Sequence, residues 1–147
     1  MTPVAVWAGP AGERRDVPTT LRVVVPLPGL PGHDEFVLDP LDEIGVLFAM
    51  RSTAPAPVRL FVVSPRAFFP DYAPALDPDV VAALAGAGGA QPDPALLVIV
   101  HPAQDGEPPT ANLLAPLVVD AATGAAVQTV LEGSEWPLRA PLVAPAA

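Results

Sequence analysis

Residues 110–139 read TANLLAPLVVD (110–120), AATGAAVQTVL (121–131) and EGSEWPLR (132–139). Two apolar, β-branched runs flank Thr123-Gly124, a pair suited to a turn, so the stretch reads as a β-hairpin with arms at Ala111 to Asp120 and Ala125 to Leu131. Each arm carries one amide, Asn112 and Gln128. An amide in an apolar strand must find hydrogen-bond partners, because burying it unpaired costs about 1–3 kcal/mol. Pro116 cannot donate to a ladder, which marks an edge or a bulge in the first arm. Asn112 therefore has two readings: it satisfies backbone groups freed by that irregularity, or it faces a partner.

Outward from the hairpin, short apolar runs recur between turn signals. Val4 to Trp7 is a short apolar start, and Pro10 to Asp16 reads as a polar turn region. Leu21 to Leu27, Glu35 to Leu38, Ile44 to Arg51, Val58 to Ser64 and Ala95 to His101 read as strands. Pro26 to Gly32 forms a double turn in which Gly29 and Gly32 supply backbone conformations that other residues resist. One helix is expected, at about 77–86: Asp77 suits the N-cap, Pro78 the first turn and Asp79 the positive end, with a stop at Gly86. Proline occurs 22 times, which argues against long helices. The pattern predicts a mainly β chain, a small antiparallel β-barrel or sandwich with one short helix, in one domain spanning 1–147.

The formal charge is −9, from sixteen acidic residues against seven arginines and no lysine. Such a balance repels nucleic acid and permits a basic protein partner; equally, it keeps an apolar domain soluble. With no cysteine, disulfides and thiolate metal sites are excluded. His33 and His101 each stand alone, and His33, in a turn, is expected to be solvated. No metal site and no cofactor are expected. Ser52, Ser64 and Ser134 lie outside any nucleophile-elbow pattern. The adjacent carboxylates Asp34-Glu35 and Asp42-Glu43 alternate across a strand and form no dyad by themselves. Gly86-Ala87-Gly88-Gly89 follows the helix instead of opening one, and no lysine reaches a phosphate. An enzyme is therefore not expected. Neither a secretory signal nor a membrane span is visible, so a cytoplasmic location is expected.

Phe68, Phe69 and Tyr72 crowd one loop beside Pro70 and Asp71. These rings either close one end of the barrel or grip a partner.

Several motifs resemble the FliW family of flagellar assembly factors. Pro28-Gly29-Leu30-Pro31-Gly32 is similar to the family's Gly-Leu-Pro-Gly turn, followed by Phe36. Val63-Ser64-Pro65 with Phe69-Pro70-Asp71-Tyr72 resembles its Asp-Pro, Phe and Asp-Tyr segment. Asn112-Leu113-Leu114-Ala115-Pro116 is similar to its Asn-Leu-x-Ala-Pro motif, and Gln128 to its Gln strand. His33, Ser64 and Trp136 depart from the family pattern, and Arg51-Ser52 keeps part of a Leu-Gln-Ser segment. The resemblance implies a cytoplasmic, chaperone-like binder that is monomeric when free. It binds flagellin and antagonises the translational regulator CsrA away from the RNA site, so that flagellin level controls flagellin mRNA translation. Partner contacts are expected at Phe69, Pro70, Asp71, Tyr72 and Asn112, and structural roles at Gly29, Gly32, Pro116 and Gln128. The alternative from the residues is a small ligand-binding or hydrolytic β-barrel with a deep pocket.

Overall fold

The computed structural model describes residues 4–7, 14–24, 27, 30, 32–43, 45–69, 72, 74, 76, 78–85, 94–103, 106–121, 123–131 and 136–142. Eleven short strands and one α-helix lie among them. In chain order the strands begin with β1 (Val4–Trp7), β2 (Arg14–Val17), β3 (Thr20–Val23), β4 (Glu35–Pro40), β5 (Leu47–Ser52) and β6 (Arg59–Val63). After α1 (Pro78–Ala85) come β7 (Pro94–His101), β8 (Thr110–Ala111), β9 (Leu117–Asp120), β10 (Ala125–Gln128) and β11 (Ala140–Pro141).

Seven strands close a barrel in the order β7-β6-β5-β4-β3-β10-β9, and β9 returns to β7. Every pairing in that ring is antiparallel except β10 with β3, where Ala125 stands beside Arg22 and Ala126 beside Val23. Closure depends on β7, whose eight residues serve two neighbours on one edge. Pro94 to Leu97 pair with β9, whereas Val100 and His101 pair with β8.

Period-two alternation fills the interior. Leu21 and Val23, Phe36 and Leu38, Phe48 and Met50, Val62, Ala95 and Leu97, Leu117 and Val119, and Ala126 all point inward. The β1–β2 hairpin adds Val4, Val6 and Val17 to the same core. Outward residues of β9 and β10 are buried too. Val118, Ala125 and Val127 are covered by Leu84 and Val80 of α1. Burial on both faces explains the near-continuous apolar runs of these strands.

Two expectations need correction. Residues 14–16 are not a turn: Arg14, Arg15 and Asp16 pair with Trp7, Val6 and Ala5. Pairing with an apolar strand overrides their polar local character. The run from Ala111 to Asp120 is not one strand, because it breaks at 112–116 around Pro116 into β8 and β9. The helix spans 78–85; residues 77 and 86 lie outside the described residues. At the double turn, Leu30 N–H donates to Leu27 O at 3.0 Å and His33 N–H to Leu30 O at 3.3 Å. Gly29 lies outside the described residues, and Gly32 has φ +84°.

The hairpin turn demands glycine twice over. Gly124 has φ +82°, and a Cβ there would stand 2.6 Å from the Thr20 carbonyl oxygen. Gly32 has the same backbone sign but open space around it. Gly124→Ala is therefore expected to lower unfolding free energy by about 2–4 kcal/mol, against about 1–2 kcal/mol for Gly32→Ala. Urea denaturation of the two variants checks this; equal losses would show that the close approach at Gly124 costs nothing.

Candidate functional site

The break at 112–116 is held by hydrogen bonds from four parts of the chain. Asn112 N–H donates to Ile99 O on β7 at 2.9 Å, and Leu113 N–H to Pro137 O at 3.1 Å. Leu131 N–H donates to Leu114 O at 2.8 Å, and Thr129 N–H to Pro116 O at 3.1 Å. The two amides grip Ala115 from either side. Its N–H donates to Asn112 Oδ1 at 3.0 Å, and its carbonyl accepts from Gln128 Nε2 at 3.1 Å. Pro116, the one residue here without an N–H, leaves no donor to satisfy. Asn112 is 9% exposed and Gln128 is partly buried.

The Leu113 carbonyl seats the aromatic loop. Tyr72 is wholly buried, and its hydroxyl donates to Leu113 O at 2.7 Å. Its ring meets Trp136 edge-on with centroids 4.7 Å apart. Arg66 Nε donates to the Tyr72 carbonyl at 2.9 Å, closing the loop that begins with the 3-10 turn Pro65–Ala67. Phe68, Phe69, Leu114 and Trp136 are half-buried over Val63, Val98, Ala111 and Leu113.

Val63 and Val98 point away from the barrel interior, since Val62 and Leu97 point into it. The rings therefore pack on the outer wall of β6 and β7 and do not close a barrel end. Of the expected contact residues, Phe69 is partly exposed, whereas Tyr72 and Asn112 point inward. Pro70 and Asp71 lie outside the described residues. Asn112 and Tyr72 are brought together through Leu113, whereas His33, next to Gly32, meets Ser52.

The histidines are separate. His33, expected to be solvated, is half-buried: its Nδ1 lies 2.8 Å from Ser52 Oγ, which also accepts from Val58 N–H at 2.9 Å. His101 ends β7 with Nε2 buried and without a hydrogen-bond partner. Among the described residues no group of three or more His, Asp or Glu side chains could hold a metal ion. The Asp42 carboxylate is occupied by the backbone, accepting from Gly45, Val46 and Leu47 N–H at 3.0–3.2 Å. Sequence reasoning missed that cap, although Asp42 three residues before Gly45 is a turn signal.

Residues 13–142 match the family described as FliW protein. This chain belongs to the FliW family. The flagellar assembly factor FliW of Shouchella clausii strain KSM-K16 is 33% identical over 116 residues, 79% of this chain and 78% of that protein. That of Bacillus subtilis strain 168 is 34% identical over 116 residues, 79% of this chain and 80% of that protein. A crystal structure of the flagellar assembly factor FliW superposes with TM-score 0.72 at 23% identity, covering 97% of each chain, and shows the shared fold. In this FliW-family chain residues 112–116, Asn-Leu-Leu-Ala-Pro, form the strand break, where the Asn112 side chain caps the Ala115 N–H and Pro116 brings no N–H of its own.

Tyr72 provides an internal probe, because the chain has a single tyrosine. Burial pushes its phenol well above the ordinary value near 10. The unfolded chain therefore releases this proton first as pH climbs past about 10. The phenol's contribution to stability is whole below that pH and declines above it. Tyrosinate absorbance is expected to appear only together with loss of β-sheet circular dichroism. Tyr72→Phe strands the Leu113 carbonyl, should cost about 1–3 kcal/mol at neutral pH, and should flatten the alkaline decline. Tyrosinate formation in a still-folded protein near pH 10 would contradict the burial.

Proposed function

We propose that this chain is a flagellar assembly factor that works by gripping other proteins and not by catalysis. Its two partners on this reading are flagellin and the translational regulator CsrA. Flagellin captures the factor as it accumulates, CsrA is released, and flagellin mRNA translation falls. Such a loop places the protein in the cytoplasm, where translation occurs. The observation that carries the reading is the family match across residues 13–142.

Two physical features support it. An RNA-binding regulator presents a basic face, and a domain at −9 is drawn to such a face, fastest at low salt. Flagellin segments with one apolar side suit a patch where half-buried rings meet solvent, as at Phe69, Leu114 and Trp136. On this reading Tyr72 and Asn112 act from beneath, by fixing the loop and the strand break that carry the patch. Pro70 and Asp71 are partner contacts on the same reading.

Co-purification of the tagged chain with its host's own flagellin and CsrA, at about 0.05 M and about 0.5 M salt, tests this. Both partners are expected at low salt. CsrA is expected to drop away at high salt, while flagellin, held by apolar contact, persists. Capture of neither at either salt would refute the proposal.

A further inference from the structure

One hydrogen bond in the loop from Ser64 to Tyr72 joins two points that are each already anchored. At the first point, Ser64 N–H donates to Val46 O at 2.8 Å, and the 3-10 turn Pro65–Ala67 follows. The Pro65 carbonyl accepts from Phe68 N–H at 3.1 Å and from Phe69 N–H at 2.8 Å. At the second point, Tyr72 is held by its hydroxyl on Leu113 O, by its ring against Trp136, and by its N–H on Phe69 O at 2.9 Å.

Arg66 adds a bond across the loop. Its Nε donates to the Tyr72 carbonyl, six residues further along the chain. The bond is only partly buried, so water can take the place of either group when it is lost. Neither Arg66 nor Tyr72 belongs to the barrel interior, and Tyr72 keeps its other contacts without the arginine. What the bond fixes is the spacing between the 3-10 turn and Tyr72. Phe69 lies between those two points, half-buried over the outer wall of the barrel.

We propose that Arg66 is a positioning residue for partner binding: by tying the 3-10 turn to Tyr72 it holds Phe69 in the arrangement that a partner meets. The proposal rests on the reading of Phe69 as a contact for flagellin. Without the tie, only a fraction of the molecules hold the loop ready at any moment. Apparent affinity falls by that fraction, and the loss lies in association, because a partner can engage only the molecules that are ready. Loss of a group that touches the partner acts differently and speeds dissociation.

Arg66→Met and Arg66→Gln separate the tie from the charge. Both remove the guanidinium charge. The glutamine amide nitrogen stands as many bonds from the backbone as arginine Nε and can donate to the Tyr72 carbonyl, whereas methionine has no donor there. Stopped-flow kinetics of the full chain with its host's monomeric flagellin, at a single salt concentration, gives both rate constants. The methionine variant is expected to associate about three- to tenfold more slowly, the scale of ordering one interface side chain, with dissociation changed less than about twofold. The glutamine variant should stay within about twofold of the unaltered chain in both rates. In the absence of flagellin, Tyr72 N–H should exchange with deuterium faster in the methionine variant than in the glutamine variant. Equal association rates for the two variants, a methionine loss confined to dissociation, or equal exchange at Tyr72 N–H would overturn the role of Arg66 alone. A methionine variant that does not fold would overturn it too, since the bond would then belong to the stability of the barrel. No binding of flagellin by the unaltered chain, or binding that Phe69→Ala leaves untouched, would overturn the reading of Phe69 and the proposal with it.

Discussion

One proline without an N–H decides how this chain closes. Pro116 cannot continue the ladder that Ala111 begins on the edge of β7, so the strand must leave the sheet and re-enter it. Leaving a sheet exposes backbone groups, and each one buried without a partner costs about 1–3 kcal/mol. Between Asn112 and Pro116 seven of those groups are met: by Ile99, Pro137, Tyr72, Leu131, Gln128 and Thr129, and by the Asn112 side chain itself. Two of these partners are side-chain amides acting on the same residue, Ala115. Replacing either by an apolar residue of similar size would leave Ala115 half satisfied.

The rest of the architecture follows from that detour. Because the chain leaves at 112 and returns at 117, β8 takes one end of β7 and β9 takes the other. The contact of β9 with β7 closes the barrel, and β8 is left to carry β11. The Leu113 carbonyl receives Tyr72 from 41 residues away, which anchors the aromatic loop on the outer wall. The interior is filled by Phe, Leu, Met, Val and Ala side chains. A half-buried aromatic patch stands on a body that is acidic overall.

Much of this was legible in sequence where local chemistry and tertiary fold agree. Gly124 between two β-branched runs announced the hairpin, and Pro78 with Asp79 announced the helix. Asn112, Pro116 and Gln128 announced an irregular strand pair with amides at work. What stayed hidden depends on contacts between distant segments. Arg14 to Asp16 have no strand character until β1 stands beside them. The resting place of Phe68 and Tyr72 could not be read, because a ring's burial does not say which wall it covers. Among the candidate contact residues, the sequence offered identities but not direction, and Tyr72 and Asn112 turn inward to hold what Phe69 presents.

The central claim is that Asn112 and Gln128 act as one device on Ala115, and a double-mutant cycle measures that directly. Urea unfolding of Asn112→Ala, Gln128→Ala and the double variant gives the coupling energy. The account predicts a coupling of at least about 1 kcal/mol, because either single change already loosens the detour that the other amide grips. Losses that add within about 0.3 kcal/mol would contradict it, and would make the two amides independent of one another.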